Sequence, residues 1–149
     1  MATIDGISFN FNEIPLSWRF CFCSGCPKHT DCLRYQTGLQ IQPKGLTQGF
    51  AVFPTAYQHG DCPHFKKTRV IKAAYGFRSL FREVKEKDGA YLRGRIKYYL
   101  GGHGTYYRYN RGEKMLTPEQ QQWILNLFAK RGYTEGLSFD HYREMLDFS

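Results

Sequence analysis

The chain has 149 residues, 42% hydrophobic and 23% charged, ordinary values for one globular domain with a core of its own. No apolar run is long enough for a membrane-spanning helix. The start, MATIDGISFNFNEIP, lacks the basic and apolar regions of a secretion signal, so a cytoplasmic, reducing location and no membrane partner are expected. The net charge of +8 is uneven, because residues 62–114 carry 14 Lys or Arg against 4 Asp or Glu and leave a balance of −2 for the rest. That bias points to an acidic partner.

In chain order, Ile7, Phe9 and Phe11 alternate with polar residues, as in a strand, until Pro15. Trp18, Phe20 and Phe22 alternate again and run into CFCSGCPKHTDC, where Ser24-Gly25 signals a tight turn. A loop containing Gly38, Pro43, Gly45 and Gly49 leads to Phe50-Ala51-Val52-Phe53, a short strand stopped by Pro54. The recurrence of Val70, Ile71, Ala74, Phe77, Leu80, Phe81 and Val84 predicts an amphipathic helix closed by Asp88-Gly89. A second helix spans Tyr91 to Leu100, ended by Gly101-Gly102, and HGTYYRYNRGE reads as a hairpin or ordered loop. Thr117-Pro118-Glu119-Gln120 opens a helix that buries Trp123, Ile124, Leu127 and Phe128 and stops by Gly132. A last short helix is predicted from Ser138, burying Tyr142, Met145 and Leu146. The expected fold is α+β: one domain over 1–149, with a Cys-rich strand-and-loop part at about 14–66 docked on a mainly helical, basic part at 67–149.

All five cysteines lie between positions 21 and 62, with two residues between Cys23 and Cys26, five between Cys26 and Cys32, and 29 before Cys62. In a reducing compartment such clustering serves metal more often than disulfides. Four thiolates at Cys23, Cys26, Cys32 and Cys62 satisfy either tetrahedral zinc or a [4Fe–4S] cluster, and the spacing does not separate the two. Cys21 is an alternate, on the same side as Cys23 in an extended chain. His59 and His64, flanking Cys62, are alternates for a mixed site. The competing readings are buried reduced thiols packing as small hydrophobes, or a redox Cys-x-x-Cys, the latter without a surrounding βαβ pattern. The metal's expected role is structural, because this loop-rich stretch has few apolar runs of its own.

Basic and aromatic residues interleave at Arg93, Arg95, Lys97, Tyr106, Tyr107, Arg108, Tyr109 and Arg111. Cations neutralise phosphates and tyrosine rings stack on unpaired bases, so this segment is the candidate nucleic-acid or polyanion surface. The alternatives are an acidic protein partner on a metal-stabilised interaction module, or an iron–sulfur redox or sensor protein. Zincin, deaminase, nucleotide-loop and nucleophile-elbow motifs are all missing, so no catalytic residue is assigned and an enzyme is not the favoured class. The run Cys23-x-x-Cys26-Pro27 with Cys32, the later Cys62-Pro63, and YYRYNRGE followed by LTPEQQ resemble an uncharacterised family of Bacteroides-type gut bacteria, a domain of unknown function. The resemblance covers nearly the whole chain and implies no activity. It implies an anaerobic host in which an oxygen-sensitive centre is tolerable.

Overall fold

The computed structural model describes residues 2–149. It is an α+β protein whose chain forms two compact units, one running to Val70 and resuming at Met145–Ser149, the other spanning Ile71–Glu144. No helix among the described residues is long and apolar enough to cross a membrane.

The first unit opens with a hairpin of β1 (Ala2–Ile4) and β2 (Ile7–Phe9), joined at Asp5-Gly6 and paired antiparallel. Strand β3 (Arg19–Cys21) pairs in parallel with β4 (Phe50–Val52), setting Cys21 opposite Val52. Between them lie helix α1 (Leu33–Gly38) and the helical turn α2 (Ile41–Lys44), and α3 (Thr55–Gln58) follows β4. Alternation explains the burial: Trp18 and Phe20 face a core shared with Phe9 and Leu33, and Leu146 and Phe148 from the chain's far end complete it. Trp18 donates its indole N–H to Thr37 Oγ1 (3.1 Å), and Thr37 in turn donates to the Leu33 carbonyl (2.8 Å). A buried indole thereby keeps its polar edge satisfied.

The second unit comprises β5 (Val70–Tyr75, entering from the first), α4 (Glu86–Tyr99), α5 (His103–Asn110), α6 (Pro118–Ala129) and β6 (His141–Leu146, running back into the first), with β5 and β6 forming a sheet. Its core gathers Phe77, Leu80, Leu92, Ile96, Leu116 and Phe128. Helix α6 begins as its sequence requires: Thr117 Oγ1 accepts from the Gln120 N–H, Gln120 answers to the Thr117 N–H, and Pro118 follows the cap.

Three expectations are corrected here. The segment from Val70 is a strand, not a helix: β-branched Val70 and Ile71 begin it, and Ala74 exchanges both backbone hydrogen bonds with Leu116. Gly76, at φ +84°, ends it. Phe77 and Leu80 are still buried, Phe77 from the irregular stretch after the strand and Leu80 from a 3-10 turn at Ser79–Phe81. HGTYYRYN is helix α5, which turns Tyr106 inward and leaves Tyr107 outward. The C-terminal segment is strand β6, with Leu146 buried as expected but Tyr142 exposed, its hydroxyl accepting from the Phe139 N–H.

Asp147 locks the chain's return into the first unit. Its side chain is 3% exposed and its Oδ2 accepts from Arg69 at 2.6 Å, while Lys66 lies 3.4 Å away. Burial pushes this carboxyl up, but hydrogen bonds from Ser149 and Arg69 and the charge of Lys66 outweigh it, taking it from 3.8 down to about 2. A carboxylate depressed on folding contributes its stability in full above about pH 4 and loses it as pH falls through its folded value. The urea midpoint is therefore expected to fall between pH 4 and pH 2 in the wild-type protein and to change much less in Asp147→Asn, which is the weaker of the two at pH 7. Parallel pH profiles would refute the assignment.

Candidate metal centre

The parallel pairing of β3 with β4 sets the geometry, because it holds the thiol-bearing end of β3 beside Val52. From Cys21 the chain turns through Ser24-Gly25, with Cys26 N–H bonded to the Cys23 carbonyl at 3.1 Å and His29 N–H to the Cys26 carbonyl at 3.1 Å. It then enters α1 directly after Cys32, which precedes the first helical residue. Cys62 returns to the same place because residues 66–68 pair along this segment: Leu33 N–H bonds Lys66 O (2.7 Å) and Thr68 N–H bonds Asp31 O (2.9 Å).

Arg34 closes the arrangement, its Nε donating to the His64 carbonyl (2.6 Å) and its Nη1 to the Arg19 carbonyl (3.1 Å), with its guanidinium stacked 4.4 Å from the Trp18 ring. One rigid fork thus ties the Cys62 turn to β3. On the surface Lys28 pairs with Asp61 at 2.8 Å.

All five cysteines and His29 line a single small cavity of about 20 Å³, walled otherwise by Tyr35, Val52, Ala56, Tyr57 and Phe65. The five thiols are free, with Cys23 and Cys32 buried and Cys21, Cys26 and Cys62 half-buried. Cys23 donates to the Val52 carbonyl across 3.8 Å. The sulfurs of Cys21 and Cys62 each accept a backbone N–H from two residues on, at 3.5 Å from Cys23 and 3.4 Å from His64. At Cys21 that bond favours the thiolate. Burial pushes the Cys21 thiol up to about 11, and the neighbouring Cys23 and Cys32 add to it, against the pull of the Cys23 N–H. The side chains line the cavity without converging on a point: among the described residues, no three of His, Cys, Asp or Glu stand as a metal-holding group.

Among the residues singled out from sequence, Cys23, Cys26, Cys32 and Cys62, with the alternate Cys21, all reach this cavity. The alternates His59 and His64 do not: His59 is exposed beyond α3, and His64 lines a neighbouring groove with Arg19, Phe53 and Thr55. The histidine on the cavity is His29, whose signal was the Cys26-Pro27-Lys28-His29 spacing.

The basic segment is split by the fold. Tyr106 is 5% exposed and stacked 4.7 Å from Phe77, so its ring belongs to the core and is not offered to a base. Burial pushes its hydroxyl up to about 12. Tyr109 also packs on the core, while Arg93 lies over Phe81 (4.4 Å) and Lys97 over Tyr106 and Tyr107 (5.4 and 5.5 Å). Arg108 and Arg111 both face Glu113, at 3.6 and 2.8 Å. Arg95 and Tyr107 remain exposed, with Tyr98 the most open ring of the segment at 85%.

Residues 4–148 match a family of unknown function, DUF6078, and the chain belongs to it. No curated protein and no solved structure matches the chain.

The Arg34 fork carries a test of this geometry. Arg34→Lys keeps the charge but replaces two directed bonds with one, and it is expected to free the Cys62 turn. Timed thiol alkylation read by mass spectrometry should show Cys62 reacting several-fold faster in the variant. An unchanged Cys62 rate would mean that the backbone pairing at 66–68 suffices to hold the turn.

Proposed function

We propose that this protein is a metal-thiolate protein in which one zinc ion, bound at the cluster of Cys23, Cys26, Cys32 and Cys62, fixes the fold of the first unit in a reducing, cytoplasmic setting. The observation that carries this reading is the meeting of all five thiols, from segments 29 residues apart, on one cavity. Thiolates are soft ligands suited to zinc, and ion binding would have to draw the wall-lining sulfurs together by rotation about their Cα–Cβ bonds. A [4Fe–4S] cluster on the same four cysteines is the alternative cofactor.

The role is structural. Structural zinc in small modules contributes apparent binding free energies of about 10–16 kcal/mol, comparable to the whole net stability of a domain. Protein isolated without air is expected to carry one zinc per chain and to be colourless. A strong chelator should strip the zinc and abolish the near-ultraviolet signal of Trp18, and Cys26→Ser should bind zinc far more weakly. Iron with sulfide and visible colour would replace zinc by the cluster, and five titratable thiols with no metal would overturn the centre altogether.

A second reading concerns the second unit, a binding surface for nucleic acid, and it is favoured by one face of α4. Lys87, Tyr91, Arg95 and Tyr98 follow one another at four, four and three residues and are all exposed. They form a stripe of alternating cation and ring along one side of the helix, over buried Leu92 and Ile96. Such a stripe suits single-stranded nucleic acid, with cations on phosphates and the open Tyr98 ring on a base, the Tyr91 ring having Arg131 over it at 3.8 Å. Binding of a labelled single-stranded RNA, followed by anisotropy, is expected to weaken steeply with salt. Arg95→Ala should reduce the log–log slope by about 0.7, one released counterion's worth for a single strand. Absence of binding at low salt would leave an acidic protein as the partner class.

A further inference from the structure

We propose that His29 ligates the metal through Nε2, which makes the centre a mixed sulfur–nitrogen site in place of an all-thiolate one. This rests on the metal reading above. His29 Nδ1 lies 2.7 Å from the Cys26 carbonyl oxygen. A carbonyl oxygen only accepts, so Nδ1 carries the proton, and in the neutral ring Nε2 keeps its lone pair. A backbone carbonyl that fixes one ring nitrogen so that the other can bind metal is the usual partner of a ligating histidine. The ring also packs against Tyr35, edge to face at 4.9 Å and 79°.

His29 belongs to the cavity wall together with the five cysteines. Its spacing from Cys26, with two residues between, suits two ligands of one turn reaching one ion. Charge argues the same way. Zinc with four thiolates carries −2, whereas three thiolates and an imidazole leave −1, less charge to bury among Tyr35, Val52, Ala56 and Phe65. With His29 as the nitrogen donor, three cysteines complete the tetrahedron and two remain on the wall.

The test uses the full chain loaded with ¹¹³Cd and read by NMR. Scalar coupling from cadmium to the ring protons of one histidine is expected, lost in His29→Gln and retained in His59→Gln and His64→Gln. Should His29→Gln fail to fold, the coupled ring is identified in the wild-type protein by its nuclear Overhauser effect to the Tyr35 ring. Cadmium bound without any histidine coupling, or coupled to His59 or His64, overturns this inference and leaves the thiolate centre standing. No cadmium signal, with all five thiols still titratable, overturns the centre and the inference together.

Discussion

The first unit depends on how closely α1 can lie on β3. At Gly38 the helix backbone comes so near the Cys21 carbonyl that even a β-carbon would overlap that oxygen. A side chain there would push the helix off the strand, and several contacts beside the cavity depend on that approach. It brings Thr37 within reach of the Trp18 indole, lets Arg34 span from the Arg19 carbonyl to the His64 carbonyl, and sets Cys32 across the cavity from Cys21. A glycine that looks like loop punctuation in the sequence is thus a packing residue.

The cavity this creates is lined by thiols yet otherwise walled by apolar and aromatic side chains, and these two properties pull against each other. Thiols are content in such surroundings while protonated, which is why burial raises Cys21. Thiolates are not, unless a cation sits among them. The nearby cations are already engaged: Arg34 spends its donors on carbonyls and Lys28 its ammonium on Asp61. A bound cation would resolve the conflict by replacing protons at the sulfurs, so that metal uptake and proton release are one event.

What the sequence disclosed follows from how local each signal is. Thr117, Pro118 and Gln120 specify a helix start within four residues, and the structure has it. The short strands around Phe20 and Phe50 were legible for the same reason, as was the clustering of the cysteines. The misreadings arose where tertiary pairing outweighs periodicity. The apolar residues from Val70 to Val84 recur at helical spacing, but pairing with Leu116 and with β6 makes the first part a strand. Alternating tyrosines and arginines at 106–111 suggested strand or loop, whereas burial of Tyr106 against Phe77 goes with a helix. His59 and His64 drew notice for standing beside Cys62. His29 stands among the cysteines themselves, where its spacing from Cys26 is a weak signal, and its place on the cavity and its bond to the Cys26 carbonyl distinguish it.

Two returns of the chain close the first unit: Cys62 reaches the cavity, and Leu146 and Phe148 reach the core beneath Trp18. The entropy of closing a loop grows only with the logarithm of its length, each doubling adding about 0.6 kcal/mol. The longer return is therefore not much costlier to make than the shorter, and what separates them is what each gains at its end. The C-terminal return gains two buried apolar side chains and the Asp147 cluster, interactions complete within the protein. The return of Cys62 gains backbone pairing at 66–68 and the Arg34 fork but ends at sulfurs that do not yet bond to one another. Of the two closures it is the one left with unused binding capacity, and that capacity is where a metal ion would enter the folding free energy.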